Sequence, residues 1–262
     1  MQKIIILAAA RSGSNYLRSL LNSHPNTRMF GEVLNPRWEL PEYFKKYYST
    51  SHEKTLILKS RFDNPHFFFS KYVWPVPDPA IKLVGFKLLY GQGYDAGGGN
   101  KNKVWAYLRD CEDLKIIHLK RRNFLKREIS LSNASSSGEW GLKGDNNIFS
   151  RVAVQWSRLS KIRAVHFDPK KCEELFLNNE RTILEHEQYF EKHDVLSIYY
   201  EDLLDSFNKS INEIIEFVGL DKYKLKSPFL KQNPLPVKWS LKNYGELKKH
   251  FKGSRWESFF LE

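Results

Sequence analysis

Ile4-Ile5-Ile6-Leu7-Ala8-Ala9-Ala10-Arg11-Ser12-Gly13-Ser14-Asn15-Tyr16-Leu17-Arg18-Ser19-Leu20-Leu21 opens the chain with an apolar, β-branched run of strand length. The run enters a short turn carrying Arg, Ser and Gly, then changes to helical spacing, with Tyr16, Leu17, Leu20 and Leu21 on one face. A strand–turn–helix of this kind aims backbone N–H groups and the positive end of a helix dipole at one spot, which is an anion site. Arg11 adds a permanent charge with a planar fork of donors suited to phosphate or sulfate oxygens. The turn lacks an opening Gly, and no Lys follows Gly13, so it departs from the G-x-x-x-x-G-K-[ST] loop that cradles a nucleoside triphosphate with magnesium. An anion that needs no metal fits the turn better; an ordinary βα unit with an exposed Arg is the other reading of the same pattern.

Outward from that unit, strands and helices alternate: 3–9 then 14–23, 82–89, 114–119 then 123–131, and 195–200 then 206–218. Such alternation predicts an α/β fold, a single domain over residues 1–262 with a central, mostly parallel sheet flanked by helices and a P-loop-like turn after the first strand. Two polar segments, 91–100 and 132–147, read as long loops, either lids over a site or disorder. Residues 151–166 read as an amphipathic helix packed on the sheet through Val154 and Leu159. Phe67-Phe68-Phe69-Ser70-Lys71-Tyr72-Val73-Trp74-Pro75 is an aromatic cluster whose plainest role is core; an acceptor groove and a peripheral membrane contact stay open beside it.

The second informative stretch is Leu114-Lys115-Ile116-Ile117-His118-Leu119, a buried strand that runs into Lys120-Arg121-Arg122 and then Asn123 through Leu131. A helix starting near Asn123 puts Arg122 at the carboxyl end of the strand and Ser130 two turns into the helix. Carboxyl ends of strands are where open α/β sheets bind ligands. Spacing alone favours a solvated basic helix start over a phosphate grip.

Taken together, these stretches resemble the superfamily of sulfotransferases that use 3′-phosphoadenosine-5′-phosphosulfate (PAPS). Arg11-Ser12-Gly13-Ser14, followed by Asn15 and Tyr16 on an amphipathic helix, looks like its 5′-phosphosulfate loop, and Arg122 with Ser130 is similar to its 3′-phosphate motif. Phe30-Gly31-Glu32-Val33-Leu34-Asn35-Pro36 resembles the Gly-Glu-x-Leu-Asn segment of bacterial carbohydrate sulfotransferases of nodulation-factor and lipopolysaccharide type. Val84-Gly85-Phe86-Lys87-Leu88 and Ile198-Tyr199-Tyr200-Glu201-Asp202-Leu203 look like strands of the same group. The catalytic His and the late Arg-Lys-Gly motif of small-molecule sulfotransferases have no counterpart beyond a partial echo at Phe251-Lys252-Gly253-Ser254-Arg255.

The resemblance implies transfer of a sulfuryl group from PAPS to a hydroxyl of a carbohydrate or glycolipid, with no metal. Glu32 is then the general base, which the missing His also favours; without the family pattern, a Glu in this position reads as a turn cap. Arg11 and the amides of Gly13, Ser14 and Asn15 would stabilise charge on the leaving phosphate, Arg122 and Ser130 would grip the 3′-phosphate, and Lys87 would help neutralise the sulfate. Two other readings stay open: a nucleotide-dependent transferase such as a divergent kinase, and a polyanion-binding module.

Composition is compatible with these readings. The net charge of +12 would draw in anions, yet Lys and Arg are spread along all 262 residues rather than gathered in a stripe. No nucleic-acid-binding signature is present, so nucleic acid is not an expected partner. The longest apolar run has seven residues, far below the roughly 20 that cross a bilayer. With no secretory signal segment and only Cys111 and Cys172, a cytoplasmic location is expected. Neither the acceptor nor the oligomeric state can be read from these residues.

Overall fold

The computed structural model describes residues 1–35, 39–40, 50–93, 101–141, 153–154, 156–157, 162–230 and 233–261. Its sheet contains β1 (Gln2–Ala8), β2 (Thr27–Phe30), β3 (Leu83–Leu89), β4 (Leu114–Lys120) and β5 (Val195–Tyr199). The order is β2-β3-β1-β4-β5, with every pair parallel. β1 is central, and Ile5 faces Phe86 on one side and Ile116 on the other. From β1 the chain turns towards β2 and β3, and from β4 it turns towards β5. The carboxyl ends of β1 and β4 therefore flank the point where the connections diverge, the usual ligand crevice of such sheets.

Side-chain alternation divides the core. Ile5, Leu7, Val84, Phe86, Leu88 and Ile116 pack on one face of the sheet, while Ile4, Ile6, Ala8, Ile117 and Leu119 pack on the other. Burial on both faces is why β1 reads as a continuous apolar run rather than an alternating one. The helices are α1 (Ser14–Asn22), α2 (Ser51–Asp63), α3 (Pro65–Phe68), α4 (Lys101–Arg109), α5 (Phe124–Ser137), α6 (Pro169–Tyr189), α7 (Tyr200–Asp205), α8 (Phe207–Val218), α9 (Val237–Ser240) and α10 (Tyr244–His250). A third apolar cluster joins α5 to the carboxyl-terminal segment through Phe124, Phe176, Phe251 and Trp256.

The fold departs from the pattern expected of the sequence at several elements. Residues 132–137 are helical rather than loop, because α5 continues to Ser137 before Gly138 ends it at φ 70°. Its serines turn their hydroxyls back on the helix, Ser136 Oγ to the Ser132 carbonyl and Ser137 Oγ to that of Asn133. Residues 142–147 and 94–100 of the two expected loops lie outside the described residues. The 151–166 run is not helical to its end. Residues 153–154 and 156–157 are helical and Val154 is half-buried, but Val165 forms a parallel bridge with Leu241; Leu159 lies outside the described residues. The strand expected through Tyr200 stops at Tyr199, and Tyr200 opens α7.

The aromatic run of 67–75 lies in α3 and a π-turn that continues it, Phe69–Val73. Phe68, Phe69, Tyr72, Val73 and Trp74 are buried, and Phe69 stacks on Phe86 of β3 at 5.4 Å. The run is core through these five residues, while Phe67 and Lys71 are exposed. Among the described residues no helix is long and apolar enough to cross a membrane.

Candidate active site

At the carboxyl edge of the sheet a cavity of about 910 Å³ opens between the β1–α1 turn, the end of β3, α5, α6 and the segment around Phe229. The turn forms its floor. Arg11 (φ 68°) and Gly13 (φ 85°) both take left-handed backbone conformations, and Arg11 is the one non-glycine residue with positive φ among the described residues. No side chain caps α1 at Gly13, so the first-turn amides are left for a ligand. Gly13 is also required sterically: a Cβ there would lie 2.2 Å from Cδ2 of Tyr200.

Three guanidinium groups surround this turn. Arg11 donates from Nε to Ser130 Oγ (3.1 Å) and from a terminal nitrogen to the Trp140 carbonyl (2.8 Å). Arg121 donates to the Arg11 carbonyl at 2.9 Å, and Arg127 to the Ala10 carbonyl at 3.3 Å. Burial pulls the pKa of both Arg121 and Arg127 down; Tyr200 and Glu201 partly offset this for Arg121, and Glu128 does so for Arg127.

Glu32 stands across the cavity. Its turn is closed by the Asn35 amide donating to the Glu32 carbonyl (2.8 Å). The turn is pinned from α2, where buried Arg61 donates to the carbonyls of Val33 and Asn35, each at 2.9 Å. The carboxylate meets Lys87 Nζ at 2.6 Å and accepts hydrogen bonds from Asn35 (3.0 Å) and Gln92 (2.6 Å). Burial pushes Glu32 up, but the Lys87 charge and these hydrogen bonds outweigh it and hold the group below its ordinary value. Lys87, buried in β3, also donates to Asn15 Oδ1 at 2.8 Å, so a single ammonium links Glu32 to the first turn of α1. Burial lowers its pKa, Glu32 raises it, and Arg18 and Arg11 lower it further.

The structure thus brings Arg11, Gly13, Ser14, Asn15, Tyr16, Glu32, Lys87 and Ser130 to one cavity, with Ser12 buried beneath the turn. It does not bring Arg122 there. Successive side chains leave the end of β4 in different directions: Lys120 goes to Glu187 (2.8 Å) and Arg121 to the turn. Arg122 goes to Asp202, with paired hydrogen bonds of 2.7 and 2.8 Å, and lies 4.1 Å from the Tyr199 ring centroid. Ser130 faces Arg11 instead.

Residues that the sequence did not single out complete the lining. Arg121, Arg127, Gln92, Tyr200, Asn178, Asn179, Trp140 and Phe229 belong to it, and Glu32 is its only carboxylate among the described residues. Tyr90 also lines it, and its hydroxyl meets His118 Nε2 at 2.6 Å. His118 is pushed down to about 3, first by burial and then by Lys120 and His186, which leaves it neutral. No group of three or more His, Cys, Asp or Glu side chains placed to hold a metal occurs among the described residues.

Comparison with known proteins supplies the family. The model of the Stf0 sulphotransferase family matches residues 105–235, half of the chain, a span that includes β4, Arg121, Arg127, Ser130 and α6. The chain belongs to the Stf0 sulfotransferases. This Stf0 enzyme is similar to nodulation protein H of Rhizobium tropici, with 26% identity over 262 residues covering 99% of this chain and 93% of the relative. It is similar also to nodulation protein H of Rhizobium meliloti strain 1021, at 25% identity covering 99% and 95% of the two chains. Among solved structures, a sulfotransferase from Alicyclobacillus acidocaldarius aligns with a TM-score of 0.45 and 15% identity, covering 99% of this chain and 96% of that one. The Stf0 match begins at residue 105, so the first turn and Glu32 lie outside it, whereas the nodulation protein H alignments cover nearly the whole chain.

Proposed function

We propose that this sulfotransferase uses PAPS as donor and a carbohydrate or glycolipid hydroxyl as acceptor, with Glu32 as general base. One observation carries the reading: Lys87 joins Glu32 to Asn15, so a carboxylate and an anion-accepting turn meet across one ammonium. The donor set fits such a molecule. Beyond the Lys87–Glu32 pair, Arg11 and Arg121 line the cavity, and no other described carboxylate does, which favours a ligand with anionic oxygens.

PAPS, when bound, supplies a sulfuryl group on a phosphate leaving group. Arg11 and the first-turn amides of α1 receive the phosphosulfate and stabilise the charge that grows on the phosphate. Ser130 and Arg122 take the 3′-phosphate, Arg122 giving up Asp202 to do so. Trp140 and Phe229 offer aromatic faces to the purine. Glu32, ionised at neutral pH, accepts the proton of the attacking hydroxyl, and Lys87 balances the charge between base and sulfate. Asn35 and Gln92 hold the carboxylate in place.

The test is turnover of PAPS against a pool of neutral oligosaccharides and glycolipids with divalent metals chelated. A sulfated saccharide released together with 3′-phosphoadenosine-5′-phosphate (PAP) supports the proposal. Turnover of ATP that requires magnesium, with none of PAPS, contradicts it.

A further inference from the structure

We infer that Arg127, held by Asn179 of α6 and Glu128 of α5, is a positioning residue that fixes the anion turn by gripping the Ala10 carbonyl. Arg11 sits in the left-handed region without the freedom of glycine, so its surroundings must hold it there. They do so through the two consecutive carbonyls of the turn: Ala10 accepts from Arg127 and Arg11 accepts from Arg121. Each of the two carbonyls thereby has a fixed donor, so the turn is held at two consecutive residues.

Arg127 is itself tightly fixed. Its side chain is 11% exposed, and its second terminal nitrogen donates to both Glu128 Oε1 and Asn179 Oδ1. Asn179 closes the arrangement by donating to Glu128 Oε1 at 3.2 Å and to the Leu175 carbonyl at 2.8 Å. With its charge balanced by Glu128, Arg127 serves the turn through geometry rather than as a loose cation for a phosphate. A helix far along the chain thereby sets the conformation of the turn that follows β1.

The ligand used to read this out rests on the donor proposal, but the clamp does not. Binding of PAP, adenosine 5′-phosphate and inorganic sulfate would be measured calorimetrically, without magnesium, for the native protein, Asn179→Ala and Arg127→Ala. Asn179→Ala removes a half-exposed side chain and keeps the fold testable if Arg127→Ala fails to fold. A clamp predicts that PAP and adenosine 5′-phosphate weaken by the same factor, about tenfold in Asn179→Ala. It also predicts that added guanidinium restores affinity to Arg127→Ala. A loss for PAP far above that for adenosine 5′-phosphate would make Arg127 a direct 3′-phosphate ligand and overturn the inference, as would unchanged affinities. If the native protein shows no preference for PAP the donor proposal fails, and the sulfate and adenosine 5′-phosphate arms still decide the clamp. Binding of none of the three overturns both.

Discussion

Lys87 Nζ lies 2.6 Å from Glu32 Oε1, and the lysine is 4% exposed. A buried ammonium of this kind is stable only with its counter-charge, and removing one partner leaves the other unpaired, a loss of about 3–5 kcal/mol for fully buried pairs. Here Glu32 is partly open to the cavity, so the cost falls below that range. The pair keeps the carboxylate ionised and ties it to the turn that follows β1.

Glu32→Gln therefore lowers sulfuryl transfer by about 100-fold or more, while PAP affinity changes little. Because the folded-state pKa of Glu32 is depressed, native activity holds above the ordinary carboxylate value and falls only as pH drops through the lowered one. The acid limb of the kcat/KM profile reports this group, and Glu32→Gln lacks it. An unchanged rate in the variant removes Glu32 from the base role.

Arg122 is drawn off by Asp202. If Arg122 grips the 3′-phosphate, Arg122→Ala weakens PAP far more than adenosine 5′-phosphate, and Asp202→Asn, by releasing the arginine, strengthens PAP. Titration of both ligands decides. Equal losses in Arg122→Ala take the 3′-phosphate away from this residue.

Gly13→Ala drives a methyl into the Tyr200 ring at a backbone φ of 85°. The overpacking costs about 1–3 kcal/mol. Thermal unfolding of the variant shows it as a lower midpoint, by roughly 2–4 °C per kcal/mol for a chain of this size. Anion affinity falls with it, because the turn has to move.

His118 gives a pH signature independent of catalysis. Its folded pKa is about 3 against an ordinary 6.5, so the unfolded chain binds more protons between those values. Stability is consequently lost as pH falls from about 6.5 towards 3. His118→Gln flattens that slope in denaturant titrations, whereas an unchanged slope places the titrating group elsewhere.

The strand, turn and helix around Arg11 were legible because each step is local: β-branched residues, a Gly at positive φ, then helical spacing. Glu32 and Lys87 were legible only through motif resemblance, and nothing in their spacing foretells a 2.6 Å contact. α6 was missed although Asp168 caps it and Pro169 opens it, a helix-start signal written in the chain. Arg121 and Arg122 are adjacent and chemically identical, so the sequence could not say which one turns inward. Asp202 and the Arg11 carbonyl divide them in the folded state. Gln92 sat in a stretch read as loop, and Asn179 reaches the turn only through packing of α6 on α5, which leaves no local trace.

The most direct measurement is thermal unfolding with saturating PAP, beside ADP and adenosine 5′-phosphate, without magnesium. A one-site ligand at about a hundred times its dissociation constant adds roughly 2.7 kcal/mol. In a chain of this size that raises the midpoint by roughly 5–10 °C. A PAPS site gives a shift of that order for PAP and much smaller ones for the other two. Equal shifts for all three would contradict the PAPS assignment.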